Sequence, residues 1–158
     1  KGSGQMIPLL SIMTAVVALD QVTKVLLTAY IPLHTGKVII PGFFNLIHVR
    51  NTGGAFSILA GASSSWRLSF FVALTLVLLA VLIYAYSRVK PDDRWTRTAY
   101  ALICGGAVGN LVDRLRLGEV IDFLDFYVGT YHWPAFNVAD SAISTGAVML
   151  LISLLRGK

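Results

Sequence analysis

Residues 68–86 read LSFFVALTLVLLAVLIYAY, without one charged side chain from Leu68 to Tyr86. A helix needs about 20 apolar residues to cross the roughly 30 Å hydrocarbon layer of a bilayer, so this stretch alone sets the fold class. It is the centre of a predicted span over about 67–87. Three more stretches approach the same length, at about 7–29, 97–114 and 137–155. The third is short and rich in small residues (Ala101, Cys104-Gly105-Gly106-Ala107, Gly109), which lets a neighbouring helix come close. The fourth holds a single charge, Asp140, in its first turn. The prediction is a membrane all-α bundle of four transmembrane helices. Two outer segments complete it: a small extracytoplasmic β element within about 30–65 and a short extracytoplasmic loop or helix within about 115–136.

Composition agrees with that reading. Of the 158 residues, 56% are hydrophobic and only 13% charged, where a soluble domain has about a quarter charged. The net charge of +5 forms no basic run and no basic stripe with interleaved aromatics, which argues against nucleic acid. Cys104 is the only cysteine and cannot form an internal disulfide. Residues 1–5 (KGSGQ) are set aside as a vector-derived remnant, leaving 6–158 as one integral-membrane domain. The first apolar run is not a cleavable signal peptide: no small-residue cleavage site follows it, and Asp20 and Lys24 sit in its second half.

Basic residues set the expected orientation. Arg88, Lys90, Arg94 and Arg97 link spans two and three, and Lys1, Arg156 and Lys158 lie at the chain ends; placing these inside puts both termini in the cytoplasm. The bias is seven basic residues against six (Lys24, Lys37, Arg50, Arg67, Arg114, Arg116), most of the latter lying among polar motifs. In the first outer segment, Val38-Ile39-Ile40, Pro41-Gly42 and Phe43 to Val49 read as two strands around a turn. The second carries Phe123, Phe126, Tyr127, Tyr131 and Trp133, which suits a membrane–water interface.

With that orientation, the ends of spans one and three and the starts of spans two and four share the outer face, and the unusual polar residues gather there. Asp20 and Lys24, at i and i+4, form one helix face and an expected intrahelical ion pair. Asn110 and Asp113 close span three with Arg114 beside them, and Gly118 lets the chain break before Asp122. Asn137 and Asp140 open span four, while Arg50-Asn51 and Gly53-Gly54 fall in the outer loop. Asp122 and Asp140 bracket a segment that leaves and re-enters the same face, so they can oppose each other. A carboxylate beside hydrocarbon is costly and is a functional candidate by default. Two that meet can share a proton and activate a water. Asp113 is better suited to a structural ion pair.

Five motifs then stand in order: Asp20-Gln21-x-Thr23-Lys24, Arg50-Asn51-Thr52-Gly53, Gly105-Gly106-Ala107-x-Gly109-Asn110-x-x-Asp113-Arg114, Val120-Ile121-Asp122-Phe123 and Phe136-Asn137-x-Ala139-Asp140. Over essentially its whole length the chain resembles the lipoprotein signal peptidases, the signal peptidase II family of bacterial inner-membrane aspartyl proteases. The resemblance implies cleavage of signal peptides from diacylglyceryl-modified prolipoproteins, N-terminal to the lipidated cysteine, near the extracytoplasmic face. It implies Asp122 and Asp140 as the catalytic pair. Asn51, Gly53, Asn110, Arg114 and Asn137 are implied to hold substrate or orient the pair, and Asp20, Lys24 and Asp113 to give structural support. No cofactor or metal is implied. The expected partners are the diacylglyceryl-prolipoprotein and membrane lipid, with no nucleic acid, and the expected state is a monomer. Gly54 departs from the family pattern, where alanine is expected; the loop containing Gly53-Gly54 would act as a lid over the substrate.

Plainer roles exist for each feature. Asn137 and Asp140 alone would be a helix cap and a first-turn acid. Cys104 reads as a packing residue, and His34, His48 and His132 lack the spacing of metal ligands. The alternative function is a small proton-coupled membrane transporter, which also uses intramembrane acids but usually shows repeated halves and helices broken at the midplane. No repeat is visible, and a purely structural subunit leaves the polar motifs unexplained.

Overall fold

The computed structural model describes residues 3–53 and 63–156. Four helices and four strands follow one another as α1 (Ser3–Tyr30), β1 (Gly36–Ile40), β2 (Phe44–Asn51), α2 (Ser64–Arg88), α3 (Arg94–Leu117), β3 (Val120–Val128), β4 (Tyr131–His132) and α4 (Val138–Leu155). α1 begins at Ser3, so three of the five residues set aside at the N-terminus are helical. Lys1, Lys158 and Gly54, which entered the charge count and the proposed lid, lie outside the described residues.

The helix ends follow from local chemistry. Asp93 caps α3, accepting from the Thr96 N–H at 3.0 Å and the Thr96 hydroxyl at 2.7 Å. Gly118 ends that helix in the left-handed conformation, φ 77°, and its N–H donates to the Arg114 carbonyl. Asn137 opens α4 with a reciprocal box: its side chain accepts from the Asp140 N–H, and Asp140 accepts from the Asn137 N–H.

Among the described residues, three helical stretches are long and apolar enough to cross a membrane: Met6–Tyr30, Ser65–Arg88 and Val138–Leu155. α3 is not among them, because its apolar stretch is diluted by charges at both ends and by glycines. It is instead the inner helix of the bundle, packed against α1, α2 and α4, with Ala99, Ala101, Cys104, Gly105, Gly106, Ala107 and Gly109 buried. A side chain at Gly106 would collide with the Ala139 carbonyl of α4, and one at Gly105 would come within 2.8 Å of Val16 of α1. The glycines thus set how closely α3 meets both neighbours. Leu79, Leu82, Ile103, Cys104, Ala107 and Leu111 form the apolar core between α2 and α3, where Cys104 is fully enclosed.

The strands pair antiparallel in the order β1-β2-β3-β4. The hairpin expected around Pro41-Gly42 is present as β1 and β2. The second outer segment differs from the loop or helix expected over 115–136: it is the sheet's longest strand and a short return strand. Val120 to Val128 is rich in branched and aromatic residues, and the free side of β2 gives it a partner, with Asn51 opposite Val120 and Val49 opposite Asp122. Its aromatics also divide. Phe123 is buried with Leu27, Ile31 and Ile121, and Phe126 stacks on Phe44 at 4.7 Å, whereas Tyr131 and Trp133 stay exposed.

Candidate active site

Asp122 lies on β3 two residues after Val120, and Asp140 lies on the first turn of α4. The connection between them runs through two asparagines. The Asn110 amide donates to Asp140 Oδ1 at 2.7 Å, and the Asn137 amide donates to Asp122 Oδ1 at 2.9 Å. Asn137 Nδ2 also reaches Asn110 Oδ1 at 3.1 Å and the Ile121 carbonyl at 3.1 Å. The two carboxyl groups therefore sit at the ends of one hydrogen-bonded chain, Asp122–Asn137–Asn110–Asp140. An amide both donates and accepts, so it can bridge two carboxyl groups that would repel if they touched. Asn51 completes the Asp122 side, donating to Oδ2 at 3.1 Å, and its own Oδ1 accepts from the Gly53 N–H at 2.8 Å.

Beneath this chain lies a charged layer. Lys24 Nζ is 2.8 Å from Asp20 and 2.7 Å from Asp113, with all three side chains buried. The intrahelical pair expected on α1 is formed, and Asp113 takes its ion pair from Lys24 rather than from neighbouring Arg114. Lys24 also donates to Asn110 Oδ1 at 3.3 Å, which ties the layer to the upper chain. Asp20 Oδ1 accepts from the Ala139 N–H at 2.9 Å, and Asp113 Oδ2 accepts from the Ile121 N–H at 3.1 Å. One carboxylate thus fixes the start of α4 and the other the start of β3, the two elements that carry Asp140 and Asp122.

Burial pushes the Asp122 carboxyl up from its ordinary 3.8 to about 6, and the charge of Asp140 pushes in the same direction. The hydrogen bonds from Asn51 and Asn137, and the charge of Lys24, oppose it. A carboxyl group so placed holds a proton nearer neutrality than a free aspartate.

Arg114 is half-buried at the end of α3, within electrostatic reach of Asp140, Asp113 and Asp122. Its guanidinium lies over the Phe71 ring, 5.1 Å from the centroid. Gly53 has φ 83°, open to glycine, and a side chain there would strike the same ring. Every site residue predicted from the sequence thus falls in or beside this cluster. Two members were not singled out. Gln21 donates to Asp20, to Asp113 at 2.9 Å and to the Gly109 carbonyl; its signal was present, since it stands inside the Asp20–Lys24 motif. Phe71, one aromatic in an apolar run, carried none.

The histidines take other places. His48 is buried on β2 and donates through Nδ1 to the Ile31 carbonyl at 2.8 Å; His132 meets Asp125 at 2.8 Å and stacks on Tyr127. Among the described residues, no three His, Cys, Asp or Glu side chains form a group that could hold a metal.

Comparison with known proteins gives one answer. Residues 12–156 match the family model described as Signal peptidase (SPase) II. The chain is 49% identical over 148 residues to a lipoprotein signal peptidase of Syntrophotalea carbinolica, covering 94% of this chain and 91% of that protein. It is 49% identical over 138 residues to that of Geobacter sulfurreducens, covering 87% and 85%. A solved bacterial membrane enzyme superposes with a TM-score of 0.85 at 32% identity, over 96% of this chain and 94% of that one.

Proposed function

The chain belongs to the signal peptidase II family, aspartic-type proteases that remove the signal peptide from bacterial prolipoproteins, and from this premise we propose which residues perform the cleavage and where. Asp122 and Asp140 are the catalytic pair. The observation that supports this reading is the asparagine bridge: two buried polar amides, Asn110 and Asn137, join these two carboxyl groups in one hydrogen-bonded chain.

The pair holds one proton. The ionised carboxylate takes a proton from water as the water oxygen bonds to the scissile carbonyl carbon, and the protonated partner donates to the carbonyl oxygen. Collapse of the tetrahedral intermediate breaks the C–N bond, and a carboxyl proton passes to the departing amine, the new N-terminus at the lipidated cysteine. Asn51, on the Asp122 side, and Arg114, with its planar fork of donors, hold the substrate backbone. Gly53, with its positive φ, closes the turn that presents Asn51 to Asp122.

In this reading all four helices cross the inner membrane. α3 crosses as a helix shielded by its three neighbours, so its lower apolar content is tolerated. Both chain ends are cytoplasmic, and the sheet and the aspartate pair lie at the extracytoplasmic end. The diacylglyceryl chains stay in the bilayer beside the helices. The catalytic groups all come from one chain, which supports action as a monomer. Asp122→Asn and Asp140→Asn are each expected to lower turnover of a diacylated prolipoprotein by at least about 10³-fold, in line with loss of an acid–base group, while thermal unfolding shows a folded protein. Near-normal cleavage by either variant, read as the mobility shift of the processed product on a gel, would remove that residue from the chemistry.

A further inference from the structure

Arg114 stands one residue from Asp113 and within the electrostatic field of both members of the pair, yet among the described residues it forms no ion pair with any of them. The carboxylates are otherwise engaged. Asp113 binds Lys24, Gln21 and the Ile121 N–H, and Asp140 accepts from Asn110 and from the Asn137 N–H. The contact that holds the guanidinium is an aromatic face, Phe71 at 5.1 Å. That ring is itself braced, with Phe70 edge-on at 5.4 Å and Trp66 stacked on Phe70 at 5.6 Å. It also fills the space beside Gly53, whose N–H closes the turn that presents Asn51 to Asp122.

We infer that Phe71 is a positioning residue for the cleavage: its ring holds the Arg114 guanidinium clear of the aspartate pair and backs the Asn51–Gly53 turn, so that both substrate-binding arms stay open. A cation over an aromatic face is attracted to the ring's negative surface without giving up its N–H donors, which point outward from the edge. Without the ring, the strongest neighbours of that cation are carboxylates. A guanidinium closed onto Asp140 would make a forked ion pair, occupy the place of the attacking water and stabilise the doubly ionised pair. The inference rests on the assignment of Asp122 and Asp140 as the catalytic pair.

The charged groups around the pair define the expected sign. Asp20 and Lys24 face it from α1, and Asp113 and Arg114 from α3; β2 offers the neutral Asn51, with Arg50 directed to Glu119 at 3.8 Å, and Asp125 of β3 is tied to Asn45 and His132. Of the nearby cations, Lys24 is fixed between two acids and Arg116 is held by the Gln21 side-chain oxygen at 3.3 Å, so Arg114 is the one able to close onto the pair. Its approach lowers the pH at which the pair loses its shared proton.

The test compares Phe71→Trp, Phe71→Leu and Phe71→pentafluorophenylalanine in the purified full chain, with pH profiles of kcat and KM on a diacylated prolipoprotein peptide and Asp122→Asn as a control. Trp keeps the face and is expected to stay within about twofold of the parent in kcat. Leu keeps the bulk and the fluorinated ring keeps the shape; each is expected to lose about three- to thirtyfold in kcat, the range of a cation–π contact, with the alkaline limb moved to lower pH by about half a unit or more. Equal losses for Trp and Leu, or a fluorinated variant with parental kcat and limb, would overturn the inference, and the fluorinated form answers the question even where Leu fails to fold. An active Asp122→Asn enzyme would instead overturn the assignment of the pair.

Discussion

Each buried acid in the site has a different task, and the difference lies in what it touches. Asp20 and Asp113 share Lys24 and accept backbone N–H groups, so they are fixed in place as the supports of α4 and β3. Replacing Lys24 by Met leaves two buried carboxylates without their cation, and the expected loss is about 3–5 kcal/mol, the usual cost of breaking a buried pair from one side. Adding Asp113→Asn to Lys24→Met should restore part of that loss in thermal unfolding; no recovery would show that the ion pair does not carry the stability. Asp122 makes stability depend on pH. Its folded pKa of about 6 lies above the ordinary 3.8, so the folded protein binds this proton more tightly than the unfolded chain. The stability it contributes is complete below about pH 4 and is lost as pH rises through about 6. Asp122→Asn removes that dependence, so the Tm of the variant relative to the parent should rise between pH 4.5 and pH 7.5. A pH-independent difference would contradict the assigned cause, burial of the carboxyl.

Among the elements, what could be read in the sequence depended on whether its signal was local. α1, α2 and α4 announce themselves as apolar runs, and the hairpin β1–β2 by its Pro41-Gly42 turn. β3 does not, because Val120 to Val128 becomes a strand by pairing with β2, some 70 positions away in sequence (Asn51 opposite Val120), and with Phe136 on its other side. The polar cluster was legible for another reason: Asp20, Asn110, Asp113, Asp122, Asn137 and Asp140 are conspicuous beside hydrocarbon, and their order matched a family. The role of Phe71 was not, since one aromatic among Phe70, Phe71 and Leu74 looks like any lipid-facing residue until Arg114 is seen above it. The glycines of α3 carry the sequence signature of close helix packing, and each meets a neighbouring helix. Gly106→Ala places a methyl against the Ala139 carbonyl and Ile143 Cγ1, so α4 must move, and Asp140 is one residue from that carbonyl. The expected cost is about 1–3 kcal/mol, with a fall in kcat of tenfold or more because the pair is displaced. Gly118→Ala is the contrast: nothing lies near its added methyl, so only the positive φ is penalised, by about 1 kcal/mol, and kcat should change little. Equal effects on kcat would argue that helix spacing does not set the geometry of the pair.

Across the whole molecule, polarity is distributed by end. The turn between α2 and α3 carries Arg88, Lys90, Asp92, Asp93 and Arg94, and a cavity of about 580 Å³ opens there among Arg88, Lys90, Asp92 and Thr96. The opposite end carries the sheet, the aspartate pair and exposed Val38, Ile40, Phe43, Tyr131 and Trp133. Helices of this length hold those two ends on opposite sides of the hydrocarbon, so one fact about sidedness fixes the rest. Basic residues favour the cytoplasmic side, so the proposed orientation puts the α2–α3 turn in the cytoplasm and the sheet outside. The prediction can be read with single cysteines in a Cys104→Ala background, where the buried native thiol has been removed. Gly42 and Asp92 are both exposed, one in the β1–β2 turn and the other in the α2–α3 turn. In intact spheroplasts a membrane-impermeant maleimide should label Gly42→Cys and leave Asp92→Cys unmodified, and permeabilised cells should show both labelled. Labelling of Asp92→Cys alone in intact spheroplasts would invert the molecule and place the aspartate pair on the cytoplasmic side. Prolipoprotein cleavage sites, which lie beyond the signal peptide's apolar core, would then be out of its reach.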